Sequence, residues 1–481
     1  MLKRCLVVTA LIMLMVGFTA TDILGQQNVT ANDEAAKKVG AFLSQWDKND
    51  MPGGAVGVVK DGRLVYKRGF GMANLDYDVP NTPSTRFNLA SVSKPFTAFS
   101  IALLAQQGKL SLDDDIRKYV PEMPKYDETI TIRHLIHHTS GIREYEALVL
   151  FGGQGVDKAY SPKTILSMLA RQKNISFKPG SKYQYSNSGY FLMGIIVERV
   201  SGKSLRAFTE ENIFKPLGMK NTVLFDNRFE VVKNRAHGYQ VGPDKSIRAR
   251  SSLYDLVGAG GVLTTVEDLY LWAQNFYEPK VGNKELIKLM TEPGTSNNGE
   301  RLNYAFGFWR SKYKGLPVIT HSGNMFGYRA QILSFPEQNF SVIALSNNSA
   351  ILPSVIVNKL ADIYLEGQLQ ADAPSPKKVE ETVPVKPPFD PPQQLSEYAG
   401  IFHSDEFDAD WRISLKGKTL SLQIGENLET QLTAASADVF TTANGQINLS
   451  FTRDDKGKIT GFVFNSALDE REVKGITFKQ Q

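Results

Sequence analysis

Apolar positions change period along the chain, and each change predicts an element. Ala35, Ala36, Val39, Phe42, Leu43 and Trp46 recur at intervals of three and four, the pattern of an amphipathic helix. The next stretch, GAVGVVKDGRLVYKRGFGMA, holds two β-rich runs around Asp61-Gly62, a two-residue hairpin signal. From Ser91 to about Met290, helical periods alternate with loops marked by glycine and proline. Strand patterns return in YAFGFWRSKYKGLPVITHSG and YRAQILSFPEQNFSVIALSNN, which read as an antiparallel meander, and ILPSVIVNKLADIYLEG predicts a closing helix. The implied architecture is α+β: an antiparallel sheet built from both ends of the segment, flanked by helices, with a helical region inserted.

The pattern then breaks. Seven prolines fall between Pro374 and Pro392, so residues 369–392 read as an extended linker. Residues 393–481 alternate short apolar strands with turns such as Lys416-Gly417, Asn444-Gly445 and Lys456-Gly457, which predicts a small all-β, lipocalin-like barrel. Tyr398, Phe402, Phe407 and Trp411 are expected in its core rather than in a ligand stack. At the other end, Lys3 and Arg4 precede an apolar run from Cys5 to about Ala20. That order predicts a signal peptide over residues 1–26 and an exported, periplasmic or secreted product, with an uncleaved anchor as the competing reading.

Composition narrows the function classes. With 42% hydrophobic and 22% charged residues and a formal net charge of +5 over 481 residues, the chain is an ordinary globular protein. No dense basic run provides a footprint for nucleic acid. Cys5 is the single cysteine, so neither disulfides nor thiol chemistry is expected in the mature protein.

Candidate chemistry begins with the spacing S-x-x-K, which occurs at Ser91/Lys94, Ser311/Lys314 and Ser375/Lys378. Ser375 and Lys378 fall in the linker, which cannot hold a reacting geometry. Ser311 sits in an alternating strand, where positions three apart point to opposite faces. Ser91 opens a long apolar-periodic run, and on a helix Lys94 shares its face. A serine at a helix start also lies among free backbone donors, which favour a developing oxyanion. The plain alternative is that Ser91 caps the helix and Lys94 is a solvated charge.

Two further motifs follow: Tyr185-Ser186-Asn187, the one Y-x-N, in a polar loop before an apolar helix, and His321-Ser322-Gly323, the one H-x-G, at a strand end. At this point residues 32–365 resemble the serine β-lactamase and penicillin-binding-protein superfamily, within the branch of class C β-lactamases, D-alanyl-D-alanine carboxypeptidase B and D-aminopeptidases. TIRHLIHHTSGI, FKPLGMKNT and GAGGVLTTVEDLYLWA are similar to family segments as well. The resemblance implies a β-lactamase/transpeptidase-like fold over residues 31–368. It implies an acyl-enzyme at Ser91, with Lys94 and Tyr185 moving the proton and Asn187 binding Lys94 and the substrate amide. It also implies an oxyanion hole from the backbone N–H groups of Ser91 and Asn324, with Ser322 and Gly323 on the substrate-binding edge. The expected substrate is a small peptide, amide or ester; no cofactor is implied.

The third motif departs from the K-T-G of β-lactamases and carboxypeptidases. His321 is expected to be neutral or cationic near pH 7 and to give a weaker, pH-dependent version of that lysine's service. Efficient β-lactam hydrolysis is accordingly less expected than peptidase or esterase activity, and a weak penicillin-binding protein is the alternative. A metal hydrolase would rest on His134, His137 and His138, with His134 and His138 sharing a helix face, but the H-E-x-x-H glutamate is missing. The absence of G-x-S-x-G argues against an α/β-hydrolase. A pure binding protein would be expected to have lost Ser91, Lys94 or Tyr185.

Overall fold

The computed structural model describes residues 34–153, 155, 158–251, 255–370, 394–426, 428–467 and 472–481. The expected signal peptide and almost all of the linker, with Ser375 and Lys378, lie outside the described residues. Among the described residues no helix is long and apolar enough to cross a membrane.

Six antiparallel strands form the central sheet in the order Trp309–Tyr313, Leu316–Met325, Tyr328–Phe335, Phe340–Ser346, Gly54–Lys60 and Arg63–Phe70. The meander and the early hairpin meet in the middle, where Gly54–Lys60 pairs along its length with Phe340–Ser346. This is the sheet built from both ends. Asp61 and Gly62 turn the hairpin with φ of 49° and 74°, the two positive angles a type I′ turn requires.

Each face of the sheet is covered. Val56, Val58 and Phe70 pack with Val39, Leu43 and Leu360 beneath the terminal helices Glu34–Leu43 and Pro353–Tyr364. The opposite face buries Ala55 and Val59 against the inserted region, whose central helix, Lys94–Gln106, packs on Asn187–Ser201. Burial on both faces explains why the first strand reads as a continuous apolar run. The insert also holds short strands that helical periodicity did not foretell; Phe87–Asn88 pairs with Val262–Thr264 just before Ser91.

The last residues close into an eight-stranded barrel. Tyr398, Phe402, Phe407 and Trp411 are buried inside it, as expected of core residues. The barrel is docked rather than free: Trp411 Nε1 donates to Phe151 O at 2.9 Å, and the Phe151 and Phe464 rings meet at 4.9 Å.

Candidate active site

Ser91 lies in a 3-10 turn, Ala90–Ser93, and the α-helix begins at Lys94. The expected helix start is therefore displaced by one turn, and the serine does not cap the helix. Ser93 instead accepts from Val262 N–H at 3.1 Å. Ala90 carries a φ of +47°, uncommon for a residue with a side chain, and its N–H is held by Asn88 Oδ1 at 2.8 Å. This kink turns the chain sharply at Ser91.

Lys94 is fully buried, not a solvated charge. Its ammonium donates to Ser91 Oγ at 3.0 Å, Asn187 Oδ1 at 2.7 Å and Ala259 O at 3.0 Å. Those three acceptors come from three segments, so the lysine is fixed by the tertiary fold. Its Nζ also stands 4.7 Å from the centre of the Tyr185 ring. The other two S-x-x-K pairs are not comparable: Ser311 lies in the sheet's outer strand, and Lys314 pairs with Asp362 at 2.9 Å.

The Y-x-N loop is held by its neighbours. Ser186 caps the Asn187–Ser201 helix through Gly189 N–H and donates its own N–H to His138 Nδ1 at 3.0 Å. Asn187 N–H and Ser188 N–H both donate to the Glu144 carboxylate, and Asn187 Nδ2 donates to Glu146 Oε1 at 3.2 Å. Burial, then the neighbouring Glu146 charge, pushes the Glu144 carboxyl up to about 7. Sequence reading missed Glu144 and Glu146; the available signal was two carboxylates, beside Arg143, in the otherwise apolar GIREYEALVLF.

Gly323 explains the third motif. A Cβ there would stand 2.1 Å from Leu89 O and 3.1 Å from Ala90 Cβ, so only glycine lets the strand lie against the segment carrying Ser91. The strand pairs with its outer neighbour only up to Thr320, which leaves His321–Met325 as an open edge beside Ser91. Asn324 sits on that edge, its Oδ1 accepting from Arg329.

His321 corrects an expectation. It is buried, and burial followed by the Lys94 charge pulls it down to about 3. Tyr304, itself buried and kept protonated, pairs its hydroxyl with His321 Nε2 at 3.0 Å; Nδ1 faces Ser322 O at 2.7 Å. The imidazole is neutral throughout the physiological range and supplies no cation in place of the family lysine.

The three neighbouring histidines have separate duties. His134 Nδ1 accepts from Thr131 N–H, His137 Nδ1 meets Tyr304 O, and the His138 ring lies 4.4 Å from that of Tyr185, tilted by 39°. The expected shared helix face of His134 and His138 is absent, because the helix ends at Ile136 and His138 is left-handed at φ +58°.

Ser91, Tyr185, Asn187, His321, Ser322 and Asn324 converge on one cleft of about 500 Å³, with Glu144, Glu146, Arg250 and Trp309 in its walls. Over residues 36–362 the sequence matches the family model described as Beta-lactamase. The chain belongs to the beta-lactamase family. Membership makes this protein a serine hydrolase. It is 28% identical over 441 residues to penicillin-binding protein 4* of Bacillus subtilis, covering 88% of this chain and 94% of that one. To the D-aminopeptidase of Gluconobacter oxydans it is 28% identical over 299 residues, 62% of this chain and 56% of the relative. The octameric penicillin-binding protein homologue from Pyrococcus abyssi has the same fold, with a TM-score of 0.63 at 24% identity, covering 93% of this chain and all of the other.

Proposed function

We propose that this beta-lactamase-family protein is an exported hydrolase that opens the amide or ester of a small peptide-like substrate through an acyl-enzyme on Ser91. The observation that carries the reading is the buried Lys94 ammonium, held at once by Ser91 Oγ and Asn187 Oδ1. Such a lysine has no structural need to be buried beside a serine hydroxyl, whereas a nucleophile must be relieved of its proton. In the proposed sequence Tyr185 acts as a phenolate held beside the Lys94 ammonium and takes the proton of Ser91 Oγ as that oxygen attacks the substrate carbonyl carbon. The oxyanion is received by the N–H groups of Ser91 and Asn324. The intermediate collapses, the leaving amine or alcohol takes the proton, and water then repeats the attack on the acyl-enzyme.

The D-aminopeptidase relative supports an amide substrate. The neutral His321 supports a peptidase or esterase over an efficient β-lactamase, since it places no cation at the position of the family lysine. The basic and apolar N-terminal segment supports export. Neither cofactor nor nucleic acid enters the scheme, and the membrane enters only through an uncleaved leader.

The test is labelling by a fluorophosphonate, with turnover of D-amino-acid amides, D-Ala-D-Ala peptides, short-chain esters and a chromogenic cephalosporin. Ser91 is expected to be labelled, and Ser91→Ala to lower kcat by on the order of a thousandfold with the fold intact. An unlabelled Ser91 in folded protein would overturn the enzyme reading. Labelling by a cephalosporin without turnover of any amide or ester would support the penicillin-binding alternative.

A further inference from the structure

A second cleft, of about 610 Å³, lies beside the helices Val266–Gln274 and Lys284–Met290 and shares no lining residue with the cleft at Ser91. Its walls include Trp272, Phe276, Ile287, Phe308, Ile319 and Ile332. Trp272, Ile287, Phe308, Ile319 and Ile332 are buried side chains, so they line an indented apolar surface rather than a flat exposed patch. Cavities of this size and character hold small apolar ligands, oriented by a few polar groups.

The polar groups here are mostly cationic. Arg310 lies directly opposite Ile319 in the strand pairing and so projects from the same face of the sheet. Its Nη1 donates to Thr291 O at 3.2 Å, and among the described residues no acidic side chain pairs with it. Lys284 and Lys288 are four residues apart on one helix, on the same side, and also line the cleft. Glu278 is the one carboxylate among the lining residues. Three cations against one anion at the edge of an apolar cleft match a ligand with a greasy body and a single negative head. The planar Arg310 fork suits a carboxylate in particular.

We propose that this cleft binds an amphipathic carboxylate, its alkyl or aryl body among Trp272, Phe308 and Ile332 and its head on Arg310, with Lys284 and Lys288 alongside. The site is separate from Ser91 and does not depend on the hydrolase reading.

Calorimetric titration of the full chain with decanoate, and with decanol as the uncharged twin, tests it. Decanoate is expected to bind one to one, at least tenfold more tightly than decanol, and equally well after Ser91 has been blocked with phosphonate. Arg310→Gln should erase the preference for the acid while leaving decanol binding unchanged. Ala273→Trp, which fills the cleft from the helix side, should remove binding of both. Equal affinity for acid and alcohol would overturn the proposal, as would binding that survives both substitutions, binding lost when Ser91 is blocked, or no saturable binding. Arg310→Gln alters a half-exposed strand residue, so it remains informative even where Ala273→Trp disturbs its helix.

Discussion

Arg143 and Glu406 form a buried ion pair that joins the segment just before the helix Tyr145–Phe151 to the C-terminal barrel. Their side chains are 0% and 3% exposed. Arg143 Nη1 also donates to Gln172 Oε1 at 2.9 Å and Nη2 to Lys474 O at 2.7 Å, while Arg143 O accepts from Ser188 Oγ at 2.8 Å. Glu472 of the barrel meets Lys182 at 2.8 Å, and its backbone oxygen accepts from Gln184, next to Tyr185. The barrel thus holds both flanks of the Y-x-N loop. Removing one partner strands a buried charge, so Glu406→Gln should destabilise the protein by about 3–5 kcal/mol, read from thermal or urea unfolding. The double change Arg143→Met with Glu406→Leu should recover much of that loss. A single variant as stable as wild type would show that the pair is not holding the barrel in place.

Gly323 is where the strand touches the segment carrying Ser91. Gly323→Ala should drive the strand off Leu89 and pull Asn324 N–H away from Ser91. The expected result is a fall in kcat of about a hundredfold or more, with KM changed much less. An alanine variant of normal kcat would remove the close approach from the catalytic geometry.

Tyr185→Phe keeps the ring that packs against His138 and faces Lys94 but deletes the hydroxyl. Its kcat should drop by about a hundredfold or more while thermal stability holds, measured on whichever substrate the panel identifies. Near-normal turnover would exclude the phenol as the base.

Buried histidines set the response to acid. His321 is pulled down to about 3 and His137 to about 4, both chiefly by burial, and His138 lies well below the usual value. An unfolded histidine titrates near ~6.5, so below that pH the unfolded chain binds protons that the folded chain refuses. Their contribution to stability is complete above about pH 6.5 and is lost as pH falls toward 4 and 3. The unfolding midpoint should fall between about pH 7.5 and about pH 5, and His137→Gln should flatten that slope. His321→Gln should leave the position of the acid limb of kcat/KM unchanged, because His321 does not titrate there.

Glu144 acts in the opposite sense. Its folded value, raised to about 7, lies above that of a free glutamate, so the stability it contributes is present at low pH and lost as pH rises through 7. Glu144→Gln retains a carbonyl acceptor for the Asn187 and Ser188 N–H groups. It should raise the unfolding midpoint relative to wild type at about pH 8, with the difference closing near pH 5. An equal shift at both pH values would contradict the titration.

Several elements were legible because their causes are local. Hydrophobic period and turn chemistry mark the first helix, the Asp61-Gly62 hairpin, the meander and the barrel strands without reference to any distant residue. The small strands around Phe87 and Val262 were not legible, since each is too short to carry a period and exists only through its pairing. The His134/His138 face failed for a related reason: a left-handed residue ends the helix, and apolar spacing does not encode that.

By itself the sequence singled out the candidate residues: Ser91, Lys94, Tyr185, Asn187 and the edge from His321 to Asn324, ordered along one chain by recognisable spacings. The tertiary structure alone decided their state. Lys94 is buried by segments far away in the chain, Gly323 earns its identity from contact with Leu89, and His321 is neutral because burial and a nearby ammonium exclude its proton. Desolvation and charge proximity arise only when distant segments meet, which is why the motifs could mark candidate residues but not set their electrostatics.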